Sequence, residues 1–102
     1  MYRLIVNYHH PENPEAFLEH YRGTHAPLAK NLANVTSYTW GRCETPDGSK
    51  PEYFLTAALD WPSKDAALAD LGSEAGQAAT ADMANFAQAG VCLVSYEAET
   101  VV

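Results

Sequence analysis

This chain of 102 residues has few basic residues and no long apolar run. Six Lys and Arg stand against thirteen Asp and Glu, which gives a net charge of −7. Nucleic acids and anionic membrane surfaces are bound by basic patches, so this balance argues against both as partners. No apolar stretch approaches the roughly 20 residues that a membrane-spanning helix needs. The length and the hydrophobic content of 47% predict a single globular domain over residues 1–102.

Cysteine is also scarce, with only Cys43 and Cys92 in the chain. There is no CxxC pair and no cysteine-rich framework, so we predict two reduced thiols inside the core. The first ten residues alternate apolar and polar and end in His9–His10, unlike the apolar core of a secretion signal. These features predict a cytoplasmic protein.

Motifs that hold metals, nucleotides or an activated nucleophile are missing. The chain has no H-E-x-x-H, no G-x-S-x-G, no G-x-G-x-x-G and no P-loop. His9 and His10 are neighbours on a predicted strand and point to opposite faces. His20 and His25 are five residues apart, about 140° on a helix, and do not form a ligand pair. We therefore predict no metal and no cofactor, and we expect His10 and His20 to face solvent.

Hydrophobic periodicity and turn residues predict the element order β-α-β-β-α-β. This is the ferredoxin-like α+β arrangement, a four-stranded antiparallel sheet with helices on one face. We expect Asn13 and Ser63 to cap the two helices, and Gly72–Ser73 to break the second. The predicted strands are residues 2–9, 35–44, 53–61 and 90–97, and the predicted helices are residues 14–32 and 64–87.

The first helix carries one stripe that mixes apolar and polar side chains. At 3.6 residues per turn, an arc of roughly 80° contains Phe17, Tyr21, His25, Leu28 and Leu32. Phe and Leu on such a stripe are explained by core packing. A buried Tyr and a buried His need partners for their polar atoms. Either these two bond to each other and to the backbone, or they face a cavity.

Gly23 and Pro27 interrupt this helix. Proline lacks a backbone N–H, and Pro27 would clash with the carbonyl group of Gly23. We expect a kink, or a break at which Thr24 caps a second segment. An interruption at this point would widen the space between helix and sheet, as a ligand site requires, although such interruptions also occur without a function.

Both faces of the predicted sheet are apolar. One face of strand 3 carries Leu55, Ala57 and Leu59, and the other carries Phe54, Thr56 and Ala58. Strand 4 likewise has Val91 and Leu93 on one face, and Cys92, Val94 and Tyr96 on the other. Two helices cover only one face of a sheet, so we predict a homodimer that packs through the open sheet face.

General acid–base chemistry is the reaction type that these residues favour. His25 would be the base, because histidine titrates near neutral pH. Tyr21 would orient it or bind a substrate oxygen, with His9 and Tyr38 as further partners. The substrate would be a small aromatic or polyketide-like carbonyl compound, isomerised, cyclised or oxidised without a cofactor. Its other contacts would come from Phe17, Leu28 and Trp40. The alternative role for each polar residue is a satisfied structural group at the boundary of helix and sheet.

Phe17, His20–Tyr21, His25 and Pro27–Leu28 spell F-x-x-H-Y-x-x-x-H-x-P-L, between one strand and a second strand that carries Tyr38. This pattern resembles the EthD family, small proteins similar to one encoded with an ether-degrading oxygenase system. The resemblance extends over nearly the whole chain and implies the dimeric α/β-barrel superfamily. It also implies an alternative role as a non-catalytic module that binds a small molecule or haem, with His25 as axial ligand.

Overall fold

The computed structural model describes residues 1–102 as one four-stranded antiparallel sheet covered by helices. The strand order is β2-β3-β1-β4, so the first strand lies at the centre between the third and the fourth. This is the predicted ferredoxin-like fold. Its elements are β1 (Tyr2–Tyr8), α1 (Pro14–His20), a π-helical segment (Tyr21–His25), α2 (Ala26–Ala29), β2 (Ser37–Arg42), β3 (Leu55–Trp61), α3 (Lys64–Gly72), α4 (Glu74–Phe86) and β4 (Val91–Glu97).

The core lies between the sheet and the helices and is rich in aromatic rings. The alternation in β1 sends Val6 and Tyr8 into this layer, where they are 6% and 1% exposed. Edge-to-face contacts join Tyr8 to Phe17 and to Tyr21, with ring centroids 5.4 and 5.7 Å apart. Such contacts hold the first helical stretch against the centre of the sheet.

The start of β3 departs from the predicted alternation. Strict alternation predicts Phe54 on the face opposite Leu55, but Phe54 packs against Phe17 in the core with ring centroids 5.2 Å apart. Its neighbour Leu55 is buried in the same core. The backbone N–H of Phe54 donates to the carbonyl oxygen of Tyr8, so the chain reaches β1 before the regular pairing begins. The prediction for Phe54 was wrong because two consecutive residues turn inward at this point.

The first helix begins as predicted but does not break at Gly23 or Pro27. The Asn13 side chain accepts a hydrogen bond from the N–H of Ala16 and caps α1. Further on, the N–H of Ala26 donates to the carbonyl oxygen of Tyr21, the i→i−5 bond of a π-helix. This wider turn accommodates Pro27 within a continuous helix, and Thr24 does not begin a new one.

The π-helical segment shifts the buried face of the helix by one residue beyond His25. Ala29 is buried at 5% exposure, whereas Leu28 is only half-buried. Leu32 again lies in the core. A single helical wheel from Phe17 to Leu32 predicts that Leu28 faces inward, but in the structure Ala29 takes that position.

The second helical stretch divides where it was predicted to divide. Ser63 caps α3 by accepting from the N–H of Ala66, and Ser73 caps α4 by accepting from the N–H of Gly76. A Cβ at position 76 would collide with the carbonyl oxygens of Asp70 and Leu71, so this close approach of the two helices needs glycine. None of the helices combines the length and apolar character that a membrane crossing would require.

The open sheet face is more polar than the sequence pattern indicated. Arg3 donates to both carboxylate oxygens of Asp60, at 2.7 and 2.9 Å. Thr56 donates to Asn7 at 2.8 Å, and its hydroxyl oxygen lies 3.0 Å from the sulfur of Cys43. Both cysteines are unpaired as predicted, but they are half-buried rather than part of the core.

Candidate functional site

A cavity of about 240 Å³ lies between the sheet and the helices. Its wall is mostly apolar, which favours a ligand with a hydrophobic body. Five side chains with polar atoms interrupt this wall, namely Tyr8, Tyr21, His25, Tyr38 and Thr80. The apolar part of the wall includes Leu4, Val6, Ala29, Leu32, Ala57 and Leu59.

His25 lies at the end of the π-helical segment and is 6% exposed. Its Nδ1 is 3.0 Å from Oδ2 of Asp82, and its Nε2 is 3.5 Å from the hydroxyl oxygen of Tyr8. An ionised carboxylate only accepts hydrogen bonds, so we assign the ring hydrogen to Nδ1. The lone pair then lies on Nε2, whose one hydrogen-bonding contact within the protein is long. This is the arrangement of an oriented histidine base.

Asp82 is a buried residue of α4 and forms hydrogen bonds with two histidines, His20 and His25. Nε2 of His20 lies 2.9 and 3.0 Å from its two oxygens, and the amide of Asn85 donates to Oδ1 at 3.0 Å. Burial alone would raise the pKa of Asp82. The hydrogen bonds from Asn85, His20 and His25 oppose this effect and leave the pKa below its usual value. The carboxylate therefore stays ionised beside His25.

The pKa of His25 is shifted downward from its ordinary value. Burial is the larger cause, because it disfavours the charged imidazolium. The hydrogen bond and the charge of Asp82 act in the opposite direction without cancelling this effect. His25 is therefore neutral at neutral pH and has its Nε2 lone pair available.

Tyr21 and Tyr38 form a hydroxyl pair on the wall of the same cavity. Their oxygens are 2.6 Å apart, and one hydroxyl donates to the other. Burial raises the pKa of both, so each keeps its proton at neutral pH. One of the two hydroxyl hydrogens is used within the pair. When Tyr21 is the donor, the hydrogen of Tyr38 is available to an oxygen of a ligand, whereas Tyr21 also has the hydroxyl of Tyr8 beside it. The cavity thus holds a neutral base and a protonated donor pair.

The structure brings three of the predicted site residues to the cavity: His25, Tyr21 and Tyr38. Tyr21 and His25 are neighbours, with ring centroids 5.3 Å apart, but they are not hydrogen bonded to each other. Phe17 and Trp40 do not line the cavity and instead support the ring of Tyr21, with centroids 6.1 and 5.0 Å away.

The structure places the other predicted residues elsewhere. His9 packs against Tyr53 with ring centroids 5.0 Å apart, and neither His9 nor Leu28 lines the cavity. His20 was expected to face solvent, but it binds Asp82 and is 28% exposed. The Nε2 of His10 lies 2.8 Å from the carbonyl oxygen of Pro51, so this side chain is also not free in solvent.

Sequence reasoning missed Asp82 and the role of Tyr8. Asp82 lies on the buried stripe of α4 with Ala79, Met83 and Phe86, at the spacing i, i+3, i+4, i+7. A carboxylate on such a stripe is a signal that a buried partner is needed. Tyr8 is the last inward-facing residue of β1 and is 1% exposed. In this buried position its hydroxyl oxygen lies 3.5 Å from Nε2 of His25.

The site residues do not match a metal or a haem. No three His, Cys, Asp or Glu side chains are grouped to hold a metal ion. Haem ligation by His25 would need space for the whole macrocycle on the Nε2 side of the imidazole ring. The cavity of about 240 Å³ falls below the usual range of roughly 300–1,000 Å³ for ligand pockets, so it does not accommodate a large macrocycle.

Comparisons with known proteins agree with this fold. The EthD domain model matches residues 9–90. An uncharacterised 11.0 kDa protein of Rhodococcus erythropolis, from the thcB–thcC intergenic region, is 40% identical over 102 residues, which cover 100% of this chain and 99% of the relative. A crystal structure of an EthD family protein from Bacillus halodurans is 27% identical with a TM-score of 0.90, over 97% of this chain and 99% of that one.

A more distant structure shares the fold alone. It is a dimeric ferredoxin-like protein of unknown function from Thermobifida fusca, with 16% identity and a TM-score of 0.71. The match covers 93% of this chain and 88% of that one. From the domain match and the Rhodococcus relative, the chain belongs to the EthD family.

Proposed function

We propose that this protein is a homodimeric enzyme that moves a proton on a small carbonyl compound without a cofactor, with His25 as the base. The observation that carries the proposal is the Asp82–His25 pair at the wall of an apolar cavity. A carboxylate on Nδ1 fixes the ring and its tautomer, so that Nε2 is ready to accept a proton. The lowered pKa of His25 keeps that atom unprotonated at neutral pH.

The hydroxyl pair supplies the complementary group. Nε2 of His25 would take a proton from the carbon next to the carbonyl group, and the C–H electron pair would become the enolate. The free hydroxyl hydrogen of Tyr21 and Tyr38 would bond to the enolate oxygen. The imidazolium would then return the proton to the same or a neighbouring carbon, which exchanges or isomerises the substrate. The base and the oxygen donor keep different roles, because burial lowers the pKa of His25 and raises the pKa values of Tyr21 and Tyr38.

The size of the cavity limits the substrate. An apolar cavity of about 150 Å³ is sufficient for benzene. About 240 Å³ therefore corresponds to one ring with a small carbonyl substituent rather than a polycyclic compound. Within the predicted aromatic or polyketide-like class, we favour the single-ring members.

The open sheet face is the proposed dimer interface. Val94 and Tyr96 are 48% and 44% exposed there, and the polar groups of Arg3, Asp60 and Thr56 are already paired within the chain. A second copy would bury the apolar side chains without leaving these polar groups unpaired. The Thermobifida protein of the same fold is dimeric, which supports a homodimer. The two free thiols favour a cytoplasmic location, because thiols stay reduced there.

Deuterium uptake tests the proposed reaction. The protein would be incubated with acetophenone in D2O, and NMR would follow loss of the methyl signal. We expect His25→Gln to lower the catalysed rate on the order of 10²- to 10⁴-fold, as removal of a general base does. Tyr38→Phe should lower it less, because Tyr21 keeps its own hydroxyl. His10→Gln, a change of a histidine outside the cavity, should leave the rate unchanged.

Two results would contradict the catalytic proposal. Equal rates for the native protein and His25→Gln would exclude His25 as the base. Binding of acetophenone without any exchange would favour the alternative function, a non-catalytic small-molecule module. Native mass spectrometry of the same preparation tests the dimer, and a monomer at micromolar concentration would rule out the proposed interface.

A further inference from the structure

A second concave surface, the outer groove, lies between the first helical stretch and β2. Its volume is about 610 Å³, and it is lined by Arg22, Lys30, Leu32, Ser37, Tyr38 and Trp40 among others. The guanidinium carbon of Arg22 lies 5.3 Å from the ring centroid of Trp40, which holds this cation beside the groove. The groove is therefore formed by a helix edge that carries charge and a strand edge that carries aromatic rings.

The charge of the outer groove is opposite to that of the molecule. The chain has thirteen acidic and six basic residues, yet two of the basic ones line this groove and no acidic residue does. Neither Arg22 nor Lys30 takes part in an ion pair with a carboxylate. In a molecule of net charge −7, two unpaired cations at one groove make a local positive field.

The outer groove adjoins the cavity of the candidate site. Leu32 and Tyr38 line both spaces, so the two spaces adjoin at these side chains. The hydroxyl of Tyr38 is also one half of the donor pair with Tyr21. A molecule with its ring in the cavity and a substituent past Tyr38 would extend that substituent toward the two cations.

From this placement we propose that the substrate carries a carboxylate on its ring, and that Arg22 and Lys30 bind this carboxylate in the outer groove. The inference rests on the proposed function, because it places the rest of the same substrate in the cavity. It narrows the substrate class from single-ring ketones to single-ring keto acids. Arg22 and Lys30 are then specificity residues that attract the anion and select it over a neutral analogue.

Calorimetry with a matched pair of ligands tests this inference. The probes are 4-acetylbenzoate and its neutral analogue 4-acetylbenzamide, which share the ring and the ketone. We expect the native protein to bind the acid roughly tenfold more tightly, as two exposed ion pairs allow. The double variant Arg22→Gln, Lys30→Gln should lose this preference. Lys64→Gln removes a cation at the start of α3, which does not line the groove, and should keep the preference.

The outcomes separate this inference from the proposed function. If both ligands bind equally and the acetyl group still exchanges deuterium, the proposed function stands and the carboxylate site is wrong. The site is also wrong if Lys64→Gln weakens binding of the acid as much as the double variant does. If neither ligand binds at millimolar concentration, both proposals are overturned. A preference that falls as NaCl is raised from 20 to 500 mM would support the ion pairs, because salt screens exposed charges.

Discussion

Two buried carboxylates on the helical layer, Asp70 and Asp82, have similar settings and different partners. Asp70 is 2% exposed and accepts from the indole N–H of Trp61 at 2.7 Å, and from the backbone and side-chain amides of Asn34 at 2.9 Å each. Asp82 is 6% exposed and accepts from His20, His25 and Asn85.

The difference lies in what the donors can do. Indole and amide groups do not give up a proton near neutral pH, so Asp70 can only fix the loop at Asn34 and the end of β3 to α3. Imidazole exchanges protons in that range, and His25, one of the two histidines on Asp82, borders the cavity of the candidate site. Burial of an aspartate alone thus does not make a candidate site, whereas the titratable partners of Asp82 mark it as one.

The largest expected effect tests the functional side of this comparison. Asp82→Asn should lower the exchange rate of acetophenone on the order of 10³-fold, or about 4 kcal/mol in activation free energy. The physical reason is that an asparagine no longer fixes the Nδ1–H tautomer of His25. NMR in D2O measures the rate. The matched variant Asp70→Asn should keep the native exchange rate at temperatures where it is folded. A comparable loss of rate in Asp70→Asn would contradict the difference in role between the two aspartates.

Asp70→Asn should instead cost stability, about 3 kcal/mol in the free energy of unfolding. The neutral amide accepts less strongly than the carboxylate and places an N–H₂ group against the donors of Trp61 or Asn34. Urea denaturation followed by circular dichroism measures this loss. A loss below about 1 kcal/mol would show that the Asp70 contacts are not a structural anchor.

The acid response should distinguish the same two regions. The folded pKa of His25 lies below its ordinary value of 6.5, so below about pH 6.5 the unfolded chain binds a proton that the native chain does not. The free energy of unfolding should then fall with decreasing pH, by at most about 1.4 kcal/mol per pH unit for this group, until the lowered pKa is passed.

Urea titrations between pH 7.5 and pH 5 would measure this slope. His25→Gln should reduce this slope. Asp70→Asn should lower the free energy of unfolding across this pH range without changing the slope. The lowered pKa of Asp82 adds a separate loss in stronger acid, as the pH falls through the folded pKa of that carboxyl. An unchanged slope in His25→Gln would contradict the assignment of a neutral buried histidine.

The smallest expected effects come from the two asparagines. Asn34 and Asn85 each donate a side-chain N–H to one oxygen of their aspartate, at 2.9 and 3.0 Å. Truncation to alanine should cost about 1 kcal/mol in both cases, because one hydrogen bond is lost. Only Asn85→Ala should change the titration of His25 in an NMR spectrum of the imidazole groups. An equal change in Asn34→Ala would mean that the two regions are coupled.

Local sequence features were sufficient for the fold and for part of the site. The helix caps at Asn13 and Ser63, the break at Gly72–Ser73 and the inward stripe of Tyr21 and His25 all follow from short-range backbone preferences and periodicity. These preferences depend on residues a few positions apart, so they can be recognised in one sequence.

Tertiary structure decided the partners and the exact register. Asp82 lies 57 residues from His25, and only the packing of α4 against the π-helical segment brings the carboxylate to the imidazole. The same packing accommodates the wider turn before Pro27, which exchanged Leu28 for Ala29 on the buried face. No periodicity within either helix encodes these distances. Helical periodicity alone indicates that a tyrosine and a histidine face the sheet. What surrounds them depends on the assembled layers, because desolvation and long-range pairing exist only after folding.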